Sequence, residues 1–326
     1  MDSDRFTIRS MILAGVAAVV SVIAFAPAPC RAQGKLDASY TASLAGVPVG
    51  SGGLNVDVGS QEYAASGNGQ VEGLIRMFSG GGRGSVAAQG RLNREHPAPA
   101  SYRATVSTGQ LDYNVHMVLQ GGNVKELTAE PPLVPAPDRV PVTDAHRRGI
   151  MDPVTAVIMP VDGSGDVLSA AACNRVLPIF DGHQRFNIAL KFKRMDHVKA
   201  EAGYEGPVVV CNAAYQPVAG HRPGRFAVKY LQQQTDIEVW LAPIAGTHLV
   251  APFRVSVPTL FGTAVVEARR FLTSAAPAHV RTGAARQTQA GRPDVGQLDA
   301  QGPPLAAASD ADGDVAGAAT NATATR

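Results

Sequence analysis

The sequence predicts a mainly β protein: a curved antiparallel sheet closing into a barrel or half-barrel, with two short helices. Three observations predict it. From Leu36 to Phe271 the dominant hydrophobic period is two, the repeat of a strand with one buried face. The 34 Gly and 23 Pro fall largely between these runs, as turn punctuation. Charged residues make up 17% of the chain, which argues against long exposed helices, since the usual share is ~25%. The 326 residues allow one large domain or two medium ones, with a core large enough to need no staple. The 29 basic and 27 acidic side chains nearly cancel, which excludes a strongly basic nucleic-acid binder.

The N-terminus reads as an export signal. Arg5 and Arg9 precede an apolar run from Met11 to Ala26, and Cys30 and Ala32 place small residues where a signal peptidase needs them. The run is about 16 residues, short of the ~20 that span a bilayer. A cleaved signal over residues 1–32 is therefore expected, and with it a periplasmic protein. A membrane anchor is the alternative. Lipidation at Cys30 is a poorer fit, because Pro29 stands where a small residue is expected. No other stretch approaches a transmembrane length.

The strands follow in order. Leu36, Ala38, Tyr40, Ala42 and Leu44 alternate with polar residues, Gly46 to Gly50 turns the chain, and Leu54, Val56 and Val58 return. Tyr102, Ala104 and Val106 repeat the pattern, as do Leu111 to Leu119 and Phe186 to Phe192. Phe226, Val228 and Tyr230 come next, then Ile237, Val239 and Leu241. Phe253, Val255 and Val257 and the run Thr263 to Phe271 complete the set.

Val71, Leu74, Ile75 and Phe78 have helical spacing, ended by Gly80 to Gly82. Asp152 and Pro153 open a second helix as N-cap and first residue, with Val154, Val157, Ile158 and Val161 inward. Glu130 to Pro141 holds five prolines and reads as an extended connection. One β domain is expected over residues 33–272. Residues 273–326 are Ala, Gly, Thr, Pro, Gln and Asp with few large apolar side chains, the composition of a disordered tail.

Catalytic motifs are missing. The eight histidines are scattered without metal-ligand spacing. The Gly80 to Gly84 run lacks the Lys-Ser/Thr of a P-loop, and Gly67 and Gly69 lack the third glycine of a dinucleotide fingerprint; both read as turns. Asp162 to Asp166 resembles half of a calcium loop, but Cys173 stands where the last carboxylate belongs. The expectation is a non-enzyme without cofactor or metal. With the signal removed, Cys173 and Cys211 remain, which suggests one disulfide; separate buried thiols are the alternative.

Three phrases carry a family resemblance. Gly149-Ile150-Met151-Asp152-Pro153-Val154-Thr155-Ala156 is one. Cys173 leading into Leu177-Pro178-Ile179-Phe180-Asp181-Gly182-His183-Gln184-Arg185-Phe186 is the second. Cys211 leading to Tyr215-Gln216-Pro217-Val218-Ala219-Gly220 is the third. Together they resemble the exported proteobacterial domain family of unknown function DUF3108, over about Leu36 to Phe271. His183 departs from it, since a basic Arg or Lys is expected there. The resemblance implies an exported, β-rich envelope protein with Cys173 and Cys211 paired, and carries over no catalytic residue.

Read on their own, Asp181 and Gly182 are a hairpin turn pair between two strands, and a Cys173–Cys211 bridge staples two neighbouring strands. Asp181, His183, Arg185 and Trp240 are the candidate ligand-binding residues. The expected partner is a lipid or acylated ligand on the concave side of the sheet. The alternative is a structural or interaction protein of the cell envelope, working through a sheet edge and the tail. Membrane contact is expected only through the signal peptide.

Overall fold

The computed structural model describes residues 33–73, 81–93, 96–108 and 112–276. The expected signal peptide, most of the first expected helix (74–80) and the expected tail from 277 onward lie outside them; residues 273–276, expected as the start of that tail, are strand instead, paired with residues 33–36. Strands β1 (Gln33–Leu44) and β2 (Val47–Val58) form the first hairpin. Its turn is Ala45-Gly46, both at positive φ (48° and 83°), as a two-residue hairpin loop requires. The expected turn over Gly46 to Gly50 is corrected: Val47 to Gly50 already pair in β2. β3 (Glu62–Val71), β4 (Gly82–Asn93), β5 (His96–Thr108), β6 (Asp112–Gln120) and β7 (Asn123–Glu130) continue an antiparallel meander.

Gly67 and Gly69 therefore lie inside β3, and Gly82 and Gly84 inside β4, rather than in turns. Their strands escape an apolar-periodicity reading because many inward positions carry Gly or Ala instead of a large side chain.

After the proline-rich connection the chain makes 3-10 turns at Asp144–Arg147, Thr155–Val157 and Ala170–Ala172, with the short β8 (Met159–Pro160) among them. β9 (Arg175–Phe180), β10 (Arg185–Lys199), β11 (Ala202–Gly203) and β12 (Glu205–Ala219) lead to helix α1 (Phe226–Gln233). β13 (Ile237–Pro243), β14 (Leu249–Thr259) and β15 (Gly262–Ala276) close the order.

The expected strand at Phe226 is thus a helix. Phe226 and Tyr230 stack one helical turn apart with ring centroids 5.7 Å apart, so a three-member alternation hid an i, i+4 pair. The expected helix at Asp152 is only a 3-10 turn, while the other expected helix falls mostly outside the described residues; α1 is the one α-helix among the described residues.

The main path of the sheet runs β7-β6-β5-β4-β3-β2-β1-β15-β14-β13-β12-β10-β9. Its edge strands do not pair, so the sheet is not a closed barrel. The connecting segment binds both edge regions instead. The Ile150 N–H donates to Gly122 O at the β6–β7 turn (2.8 Å). Met151 exchanges hydrogen bonds with β9 through Pro178 O and the Phe180 N–H (2.9 and 3.0 Å).

Two apolar clusters fill the interior. One gathers Leu36, Val56, Tyr63, Tyr102, Met117, Phe253 and Phe271. The other gathers Met159, Leu177, Ile179, Cys211, Val239 and Leu241. β12 contributes to both, and Val208 to Cys211 are fully buried in succession, the mark of a strand covered on two faces.

Cys173, after the third 3-10 turn, is disulfide-bonded to Cys211 in β12, with Cα atoms 5.4 Å apart. β10 lies between β9 and β12, so the bridge ties a loop across a strand rather than joining neighbours.

Candidate functional site

The register of β1 to β4 builds a thin floor. Tyr40 pairs with Gly52, Gly52 with Gly69, and Gly69 with Gly84, one row across four strands. In the next row Leu54 pairs with Gly67 and Gly67 with Val86. Strand partners share a face, so three adjacent strands leave out their side chains at one level. Two rows and more further along, the same face is filled by Val56, Tyr63 and Tyr102.

Over this floor stand Pro153, Val154 and Val157 of the connecting segment, Pro252 and Val255 of β14 and Val266 of β15. They enclose an almost wholly apolar cleft of about 470 Å3.

Substitution space at the glycines is unequal. A Cβ on Gly52 would lie 2.6 Å from Asn68 O, a clash with backbone. A Cβ on Gly69 meets only Ser51 O at 3.7 Å, an ordinary contact. Gly69 is thus a position where a side chain could enter the cleft without backbone strain.

A buried polar network holds the segment over the sheet. Asp152 Oδ1 accepts the Val154 and Thr155 N–H groups (2.9 and 2.8 Å), and Oδ2 accepts the Thr155 hydroxyl (2.5 Å). The Tyr63 hydroxyl lies 2.6 Å from Thr155 Oγ1. This is the N-cap role expected of Asp152, applied to a tight turn. Burial pushes the Asp152 carboxyl above its ordinary range, against the opposing pull of the Thr155 and Val154 bonds. Burial also raises the Tyr40 phenol, whose hydroxyl donates to Pro252 O (2.7 Å) and ties the floor to the wall.

The four candidates named from sequence are not brought together, and none lines this cleft. Asp181 Oδ1 accepts the His183 and Gln184 N–H groups (2.8 and 2.6 Å), which shapes the loop. Gly182, at φ 100°, sits where a Cβ would strike Val115 Cγ1 at 2.5 Å. His183 places Nε2 3.1 Å from Pro131 O, with its ring edge-on to Tyr113. Arg185 donates to Phe186 O and Asn187 Oδ1 (2.6 and 2.7 Å).

Trp240, in β13, has the guanidinium groups of Arg194 and Arg254 over its ring, 5.4 and 4.9 Å from the centroid. Nearby Glu238 is pushed up by burial, but hydrogen bonds from Arg194 and Lys193 more than reverse this and leave it below the usual carboxylate range. The cleft residues escape a reading by residue type because register assembles them. The signal that could have found them is Gly-x-Gly at 50/52, 67/69 and 82/84, a period-two repeat of absent side chains.

Residues 39–269 match the family model described as protein of unknown function (DUF3108). No curated protein matches the chain. Among solved structures the chain is similar to a β-barrel-like protein of domain of unknown function DUF1849 from Brucella abortus. The two share 9% identity with a TM-score of 0.38, over 74% of this chain and 96% of that one. A likeness of that size carries no argument about function.

Proposed function

We propose that this chain, which belongs to the DUF3108 family of unknown function, is an exported periplasmic envelope protein that binds an apolar or acylated ligand in the cleft over β1 to β4. It does so without catalysis. The observation that carries this reading is the glycine row Gly52–Gly69–Gly84 beneath an apolar wall. Pockets that enclose small ligands are roughly 300–1,000 Å3 and mainly apolar, with few polar groups. The cleft matches in size and lining. The Tyr40 hydroxyl already has an acceptor within the fold, so the floor offers an acyl chain no unpaired polar group there.

The test is displacement of a fluorescent fatty-acid probe by purified protein, with native mass spectrometry of the protein as isolated. Saturable binding to the wild type, with a loss of tenfold or more in Gly69→Leu, supports the cleft. A protein that is always isolated empty and fails to take up the probe sinks it.

The second reading, an interaction protein of the envelope, has its own observation. Val47, Leu260 and Phe261 are 59, 63 and 77% exposed on two adjoining hairpin tips, joined by the Ala45 N–H and Thr263 O (2.9 Å). A stable protein partner that is lost in Phe261→Ser, without any small ligand, selects that reading instead.

A further inference from the structure

The outward face of β2 to β5 is the reverse of the cleft floor. Exposed and inward residues alternate along β3 and β4, and the exposed ones are mostly small and polar: Ser66, Asn68 and Gln70 on β3, Ser85 and Gln89 on β4. Three depressions of about 690, 370 and 730 Å3 follow one another across this face. Each is lined by a different arginine: Arg83, Arg103 and Arg91. All three are exposed, and none has an ion pair or side-chain hydrogen bond among the described residues.

The other charges lining the face are largely satisfied. Lys35 pairs with Asp57 (2.7 Å), and Arg269 pairs with Glu201. Glu72, at the margin, accepts bonds from Ser51 and Gln70. Glu62 is the remaining acid, set against three open guanidinium groups. The spacing is regular. Arg103 pairs with Ala87, which is four residues from both Arg83 and Arg91. At ~3.4 Å per residue the arginines are about 14 Å apart in sequence along a line of about 27 Å.

We propose that this outward trough binds an extended anionic glycan, its acidic groups held by Arg83, Arg103 and Arg91 and its hydroxyls by the Ser, Asn and Gln side chains between them. Arginine favours such a ligand because its planar donors match carboxylate, sulfate and phosphate oxygens. The competing partners lack their signatures here. Single-stranded nucleic acid requires exposed aromatic stacking platforms, and the two tyrosines bordering these depressions, Tyr40 and Tyr63, carry their hydroxyls into the interior, to Pro252 O and Thr155 Oγ1. A protein interface requires an apolar or aromatic core, which the face also lacks.

The experiment measures binding of the full chain to fluorescein-labelled dextran sulfate, with neutral dextran of the same length alongside. The triple variant Arg83→Gln/Arg91→Gln/Arg103→Gln is compared with Lys191→Gln/Arg225→Gln/Lys229→Gln, which removes the same charge elsewhere. Dextran sulfate is expected to bind with an affinity that falls as salt rises. The trough triple weakens it by roughly thirtyfold, as three charge-assisted contacts together would. The control triple changes it by less than about twofold. Emission of Trp240, the sole tryptophan, and the thermal melt confirm that both variants are folded. Arg103→Gln alone is expected to weaken binding by roughly threefold. Equal loss in both triples, equal binding of neutral dextran, or no binding by the wild type overturns the proposal. Fatty-acid probe binding, on the opposite face, is read separately and is expected to be unchanged in the trough triple.

Discussion

The meander β1 to β7 and the strands β9 to β14 solve burial in opposite ways. In the first, one face is dry and the other is wet, as the alternation along β3 and β4 records. Its dry face is partly glycine. In the second, β12 is covered on both faces, and the Cys173–Cys211 bridge fastens a covering loop to it. The difference teaches that rigidity and open volume are kept apart. The double-sided strands supply a closely filled interior, and the thin strands leave space that a ligand can use.

The largest expected break in this contrast is the double variant Cys173→Ala/Cys211→Ala. Releasing a bridge that spans 38 positions costs about 4 kcal/mol in the loop-closure account. Urea unfolding measures it; a loss below about 1 kcal/mol would mean that the staple does not anchor the second region. Next comes one substitution made in both regions. Leu241→Ala, fully buried, is expected to cost about 3–4 kcal/mol, while Leu54→Ala, half-buried beside the cleft, costs about 1 kcal/mol. Equal losses would erase the distinction.

A pH titration sharpens the contrast further, because the segment held over the meander and the second region contain carboxyls shifted in opposite directions. Asp152 is raised when folded, so its contribution declines as pH rises from its ordinary value of 3.8 through the folded one. Glu238 is lowered when folded, so its contribution is present above its ordinary value of 4.5 and is lost as pH falls through the folded one. Asp152→Asn and Glu238→Gln should each remove one limb of the stability–pH curve; the same limb lost in both would refute the assignment. The smallest stability effect belongs to Gly69→Leu. It should shift the urea midpoint little while weakening probe binding tenfold or more, and a large unfolding effect would show that the cleft has no room for the side chain.

How much was legible from the sequence follows the same division. β1, β2, β5, β6, β10 and β13 to β15 are readable because large apolar residues alternate along them or at their centres, β9 because the Asp181-Gly182 turn follows it, and β12 as the strand that carries Cys211. β3 and β4 were not, because glycine and alanine conceal the period, and β7 carries Lys125, Glu126 and Glu130 among few apolar residues. Phe226 to Tyr230 was misread because three alternating residues satisfy both periods. Asp152 was readable as a cap, but not as the anchor of a segment lying over the sheet, since that role depends on Tyr63 far away in sequence. Asp181, His183, Arg185 and Trp240 are legible as candidates by their chemistry, but not their surroundings: Asp181 accepts bonds within its own loop, and Trp240 sits beside two guanidinium groups. The cleft depends on the coincidence of three Gly-x-Gly strands in register, which no single window displays.

β1 and β15 are neighbours at the centre of the sheet, with Leu36 opposite Thr273. Of the described strands, a ribosome delivers one of them first and the other last. Each meander can fold on itself as it emerges, but the seam between them stays an unpaired edge until the final strand arrives. An open edge recruits foreign strands. Synthesis that stops before Gly262 therefore leaves a nearly complete protein with its sheet parted at the middle, and such a product is expected to aggregate rather than merely lose stability.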